Sequence, residues 1–393
     1  MRLGIIIISL VLYSSQLLAQ TQNEKNEPVN QNVNNSQNPE SNNFKNKQEQ
    51  KVSASESAVD DVAKPGAMQT KIPVPQPESP KSWQSYYSSI QQSAVKNYDK
   101  QPTAAQQKQM DDILSEMESY HGQSYEFNVM QYINSQQNRN FGSHLLTAYK
   151  MDPSRADALP YVAGYAEMTQ NTSLKTEVLQ KMAAGGIFGN VVLQYHRDLL
   201  NSLPANAVLL TNGKDDTYPL WILQQKENLK PGVQIIYLDL MHDEMYRKTI
   251  AGKLGISEIK GNETDEYITA ILNNYKGSLY LPATLRKDVL KKLSDHSLTL
   301  TGIVFSKTSS EAVANATLKK FWEEQADTGK MENLWGTTGE NQYKRNYLPA
   351  LVKLYGIYKI DGNDKEAAKV KSTALTIASK TGTLASVEKY FKP

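Results

Sequence analysis

The chain contains no cysteine among its 393 residues. That absence excludes a disulfide framework, thiolate catalysis, a cysteine-based zinc site and a lipid-bearing cysteine behind a leader. Strong charge of one sign is missing too. The net charge is +2 and no dense Lys/Arg stripe appears, so no nucleic-acid partner is expected. No apolar run is long enough to span a bilayer comfortably, and no span is expected once a leader is removed. Histidine is sparse: His121, His144, His196, His242 and His296 are dispersed, none with a neighbour at metal-ligand spacing. Gly-x-Ser-x-Gly, His-Glu-x-x-His and EF-hand loops are absent, and Gly213 stands alone, which excludes a P-loop or a dinucleotide fingerprint. No cofactor and no metal are expected.

What is present begins with a leader. Arg2 precedes the apolar run Ile5 to Leu12, and Ala19 offers a small residue for cleavage, which predicts a signal peptide over 1–19 and export to the periplasm or cell surface. Residues 20–80 are rich in Asn, Gln, Ser and Pro with almost no aromatics. Such a segment cannot bury enough surface to offset its ordering entropy, so it is predicted to be a disordered tether.

Residues 81–203 are predicted to form helical hairpins. Trp83, Tyr86, Ile90 and Val95 fall near helical spacing, as do Met110, Ile113, Leu114 and Met117. Ser124 to Asp157 carries Tyr125, Tyr132, Leu145, Ala148 and Pro153 in a pattern resembling a tetratricopeptide repeat, although Val129 and Phe141 stand where that repeat takes a small residue. Tyr161, Tyr165 and Leu179 make a weaker copy. Residues 307–393 are expected to add further hairpins, with Leu351, Tyr358, Ala367 and Ala374 packing about an Asp361-Gly362-Asn363 turn.

The stretch 204–306 reads differently. Ala207 to Leu210 and Val233 to Leu238 are short apolar runs bounded by Asn-Gly and Pro-Gly, as buried parallel strands should be, with a helix from Pro219 between them. Ser278 to Pro282 and Leu298 to Phe305 are further strand candidates. The expected fold is therefore an α/β core with a small, mostly parallel sheet, flanked by tetratricopeptide-like helical hairpins.

A strand, crossover and strand unit places both strand ends on one sheet edge, where ligands bind. The turns after the two strands carry Asn212, Asp215, Asp216, Asp239 and His242. Carboxylates with a histidine suit a hard cation or a general base. The same residues also suit structure: Asn212-Gly213 as a turn, Asp215 or Asp216 as a helix N-cap, Pro219 in the first helical turn, and Asp243 and Glu244 at the start of the next helix.

The run Thr211-Asn212-Gly213, then Asp216-Thr217-Tyr218-Pro219-Leu220-Trp221, then Gln224 and a strand ending at Leu238 and Leu240, is similar to an extramembrane part of the protein O-mannosyltransferase-like membrane family. Order and composition extend the resemblance over about 195–380. It implies an α/β unit followed by tetratricopeptide-like helices, and offers Asn212, Asp216, Thr217 and Trp221 as ligand-binding candidates. Members of that family hold their catalytic acid and lipid-linked sugar site within membrane helices, which this chain lacks, so glycosyl transfer is not implied. Lys214 also stands where an acidic residue is frequent in the family. The expected function is an exported, non-catalytic envelope protein binding protein partners or glycans, with a subunit of a secretion or surface-assembly complex as one form of it. The competing expectation is a small hydrolase or transferase working at Asp215, Asp216, Asp239 and His242.

Overall fold

The structure, a computed structural model, describes residues 79–95, 102–307 and 310–392. The expected signal peptide and nearly all of the expected tether lie outside the described residues.

Among the described residues seven α-helices precede the first strand: α1 (Pro80–Val95), α2 (Ala104–His121), α3 (Tyr125–Asn134), α4 (Gly142–Met151), α5 (Leu159–Met168), α6 (Thr172–Ala184) and α7 (Asn190–Asn201). α1 packs on α2, α3 on α4 and α5 on α6. Trp83, Tyr87 and Ile90 turn inward on α1, a four-then-three spacing that keeps one helical face buried, so Tyr87 takes the inward place expected of Tyr86. Its hydroxyl donates to Asn134 Oδ1 at 3.1 Å. α2 starts from a capping box in which Thr103 and Gln106 satisfy each other's backbone N–H, and it buries Met110, Ile113, Leu114 and Met117. Gly142 opens α4 where the Tyr165 ring presses against it; a methyl group there would overlap the ring.

The sheet contains β1 (Val208–Thr211), β2 (Gln234–Tyr237), β3 (Leu279–Pro282), β4 (Leu298–Thr301) and β5 (Val304–Lys307), in the order β2-β1-β3-β5-β4. β1 pairs in parallel with both β2 and β3, whereas β5 is antiparallel to β3 and to β4. The sheet is thus mixed, which corrects the expectation of a mostly parallel one. The reason is local. Leu298 to Phe305, read as one strand, folds at Gly302-Ile303 into a hairpin, with Gly302 at φ 66° in a turn that needs glycine at its first central position. Leu209 and Leu210 are fully buried because helices cover both sheet faces, each such side chain contributing about 2 kcal/mol.

Between β1 and β2 runs α8 (Lys214–Glu227). It starts earlier than expected, capped by Gly213 and by neither Asp215 nor Asp216, so Pro219 lies inside the helix and not in its first turn. Gln224 closes the return to β2, donating to Lys230 O at 3.0 Å and Val233 O at 2.8 Å. A 3-10 turn (Leu238–His242), α9 (Glu244–Leu254) and α10 (Thr264–Asn274) lead to β3. Tyr246 of α9 accepts the Tyr237 N–H at 3.3 Å, occupying backbone that edge strand β2 would otherwise present.

After β5 come α11 (Glu311–Lys320), a segment of buried polar side chains in 3-10 form (Gln342–Tyr347), α12 (Leu348–Ile360) and α13 (Asp364–Lys380). α12 and α13 pack together across Gly362, which sits at φ 72°. One continuous cluster of buried apolar side chains runs from Tyr132 through the sheet to Phe391.

Candidate functional site

The order β2-β1-β3 creates a switch point, since the connection leaving β1 and the one arriving at β3 lie to opposite sides of β1. Open α/β sheets bind ligands there, outside the strand carboxyl ends. Gly213 makes the tight exit from β1 at φ 82°, ψ 164°, a backbone position that disfavours side chains, although a Cβ would meet nothing within 4 Å.

Three residues on, Asp216 turns inward and is 7% exposed. Its Oδ2 accepts the Thr284 hydroxyl at 2.5 Å, tying the turn after β1 to the turn after β3. Its Oδ1 lies 3.9 Å from His196 Nε2, a fully buried ring from α7. His196 Nδ1 is 2.8 Å from Val192 O, and a carbonyl can only accept, so the proton of the neutral ring sits on Nδ1. Nε2 then has no hydrogen-bond partner among the described residues. Burial pushes the Asp216 carboxyl up, against the opposing pull of His196 and Thr284.

The other acidic residues face a different group. Asp239 is exposed, and its Oδ2 lies 3.4 Å from the Tyr237 hydroxyl. Tyr237 packs edge-on to Tyr218 at 5.8 Å, and the Tyr218 hydroxyl donates to Pro160 O at 2.6 Å, which docks α5 over the sheet edge. Close approach is possible because α5 presents Gly164 at the contact. Burial, reinforced by Tyr218, Asp239 and Asp215 among others, holds the Tyr237 hydroxyl well above the usual phenol range. Of the two acidic turns, the one after β2 reaches Tyr237 directly through Asp239, while Asp215 acts on it only through its charge. Half-buried Tyr161 and Tyr165 stand edge-on to Tyr132 at 6.5 and 6.1 Å and complete an aromatic wall.

His242 is exposed, with Nδ1 held by Asp239 O at 2.6 Å. Asp243 caps α9 by accepting the Tyr246 N–H and takes a two-bond salt bridge from Arg139 at 2.7 and 3.0 Å. Thr217 Oγ1 lies 2.7 Å from Thr211 Oγ1 and donates to Gly213 O at 2.8 Å. Trp221 is buried beneath Lys175, whose Nζ is 3.6 Å from the ring centroid and which also pairs with Glu167. Asn212 remains half-buried beside the turn. The four acid and histidine candidates thus divide: Asp215 and Asp239 at the mouth, Asp216 inward, His242 on its own backbone. Among the described residues no group of three or more His, Asp or Glu is placed to hold a metal ion.

Chemically, Asp216 stands between a hydroxyl and an imidazole. A nucleophile relay places the imidazole in the middle, so Thr284 has no path for its proton to His196. His196, Thr284, Tyr218, Tyr237 and Arg139 had no role in the sequence reading of the site. Nothing local marks His196, because its partner lies on another element; Thr284 follows a strand end, which was the one available signal. At the opposite end of α8, a shallow groove with room for about 40 Å³ of water, lined by Met182, Ile187, Phe188, Leu193, Ile222 and Lys226, lies away from this edge.

Fold and site together define a mixed α/β unit whose strand carboxyl edge is covered by helices. Residues 192–351, which hold His196, Asp216, Tyr237, Asp239 and Thr284 but not α5, match the family described as TMEM260-associated domain 2. This match fits the O-mannosyltransferase-related resemblance of the central motif. Neither a curated protein nor a solved structure matches the chain.

Proposed function

We propose that this chain is an exported, non-catalytic cell-envelope protein that binds protein partners or glycans through its tetratricopeptide-like helical surface and its strand carboxyl edge. The observation that carries the reading is how the central motif is used. Asp216, Thr217, Tyr218 and Trp221 are all buried and engaged with Thr284, Thr211, Pro160 O and Lys175, while Asn212 and Asp215 are half-buried and Asp239 and His242 exposed. Carboxylates and tyrosines without a nucleophile and base in contact are equipped to hold hydroxyls, amides and cationic side chains. The domain corresponds on this view to the extramembrane region of the family without its membrane catalytic part; among the described residues no helix is long and apolar enough to cross a membrane. Assembly into a secretion or surface complex is one form such binding takes.

The test is a glycan array together with crosslinking and capture from cell envelopes, using the full chain and its Asp239→Ala/Tyr161→Ala variant. Binding weakened about tenfold or more by the double change supports the reading, that loss being about 1.4 kcal/mol. Turnover of an ester, glycoside or activated-sugar substrate that Asp216→Asn abolishes would replace it with the hydrolase or transferase alternative.

A further inference from the structure

Helix α7 is joined to the rest of the protein by two buried carboxylates, Asp198 and Asp216, and among the described residues no lysine or arginine forms an ion pair with either. Asp198 is 1% exposed; its Oδ2 accepts the Tyr347 hydroxyl at 2.7 Å, its Oδ1 accepts Gln194 Nε2 at 2.9 Å, and the Asp327 backbone N–H also donates to it. All three donors are neutral. Arg197, the nearest cation on its own helix, is already engaged with Glu227 of α8 at 2.6 Å. Two residues before Asp198, His196 faces Asp216. Tyr195 lies between these contacts, edge-on to Tyr347 at 5.4 Å and tilted against Tyr343 at 5.9 Å, with a buried hydroxyl that has no hydrogen-bond partner among the described residues. Three neighbouring positions of one helix therefore reach α8 on one side and Gln342–Tyr347 on the other through titratable groups.

We propose that α7 is an acid-strengthened latch: protonation of the Asp198 and Asp216 carboxyls removes buried charge from the joint and holds α7 more firmly to α8 and to Gln342–Tyr347. A carboxylate out of water with only neutral donors is better accommodated as the neutral acid. Burial accordingly pushes the Asp198 carboxyl up to about 6, and Tyr347, Gln194 and the Asp327 N–H only partly offset it. A raised carboxyl binds its proton more tightly folded than unfolded, so its contribution is complete in acid and is lost as pH rises through about 6. Acids that work in the opposite sense include Asp157, Asp243 and Glu227, held below their ordinary values by arginines despite burial, and Asp327 beside the joint, held down by the Lys330 backbone N–H and side chain. They stay ionised between about pH 5 and 8, so they do not obscure the latch in that window.

The experiment is hydrogen exchange of the full chain at about pH 5 and 8, corrected for intrinsic rates and read over 190–201 and 342–347. Both segments should be protected roughly tenfold more at the lower pH, because about pH 5 lies about one unit below the closed-joint value of about 6, at a pH where an open carboxyl is already ionised. Asp198→Asn keeps the shape and the hydrogen-bond acceptor but cannot ionise, and should remove most of the difference. Tyr347→Phe removes a donor to the carboxylate and should move the midpoint of the protection curve to a pH higher by about 1, which gives a second reading if Asp198→Asn does not fold. Equal protection at the two pH values, an Asp198→Asn protein with the full difference, or a Tyr347→Phe midpoint that stays or falls would each overturn the proposal.

Discussion

His196 Nε2 and Asp216 Oδ1 face each other across 3.9 Å in the interior, and the imidazole nitrogen has no other group to bond. With Nδ1 turned to Val192 O, Nε2 points at a carboxyl that burial pushes up. This contact fastens α7 to the start of α8, the point from which the motif Asp216-Thr217-Tyr218 is laid out.

Breaking the pair from one side leaves the other buried and uncompensated. His196→Ala is expected to cost about 3 kcal/mol, from the lost pairing together with a cavity beside Tyr343. Asp216→Asn, which keeps an acceptor for Thr284, should cost less than half of that. Urea unfolding of the three proteins checks the order, and an Asp216→Asn loss equal to that of His196→Ala would contradict it.

Arg139 and Asp243 join the 3-10 turn before α4 to the start of α9, with side chains 28% and 11% exposed. Burial pushes the Asp243 carboxyl up, but Arg139 and the Tyr246 N–H outweigh it and leave it below the ordinary carboxylate range. Its contribution is therefore present above the unfolded value near pH 4 and is lost as pH falls through the lower folded value. Arg139→Ala should cost about 1–3 kcal/mol at neutral pH and less in strong acid. Thermal melts of both proteins from about pH 7 to 3 give the comparison, and an Arg139→Ala penalty independent of pH would show that packing, not charge, is what was removed.

Gly142→Ala should destabilise the protein by about 1–3 kcal/mol, even though alanine favours a helix, because the new methyl has nowhere to go but into the Tyr165 ring. In a Tyr165→Ala background the same change should be neutral or stabilising. A double-mutant cycle read by urea midpoint measures the coupling, and simple additivity would mean the two residues do not press on each other.

Much of the fold was legible because it rests on periodicity. Met110, Ile113, Leu114 and Met117 mark a helical face wherever they occur, and Val208 to Leu210 with Ile235 and Ile236 read as paired parallel strands because both sheet faces must be apolar. The β4–β5 hairpin was not legible, since Leu298 to Phe305 is apolar enough for one strand and its single turn signal is a glycine that strands also tolerate. The start of α8 was misread for a similar reason: Asp215 and Asp216 have the chemistry of caps, but Gly213 already supplies the backbone turn, which frees Asp216 to point inward.

The candidate site divides along the same line. Local order in the chain determined that acidic turns follow β1 and β2, and that these strands lie side by side and run the same way, because hydrophobic spacing and turn chemistry are properties of neighbours along the backbone. Only the tertiary structure decided which acid faces which partner: Asp216 to His196 and Thr284, and Asp243 to Arg139. Those partners sit on other elements, 20 to more than 100 residues away in several cases, as with Arg139 and Asp243. A buried polar group is satisfied by whatever packing brings within about 3 Å, and that distance is set by the assembled core and not by position in the chain.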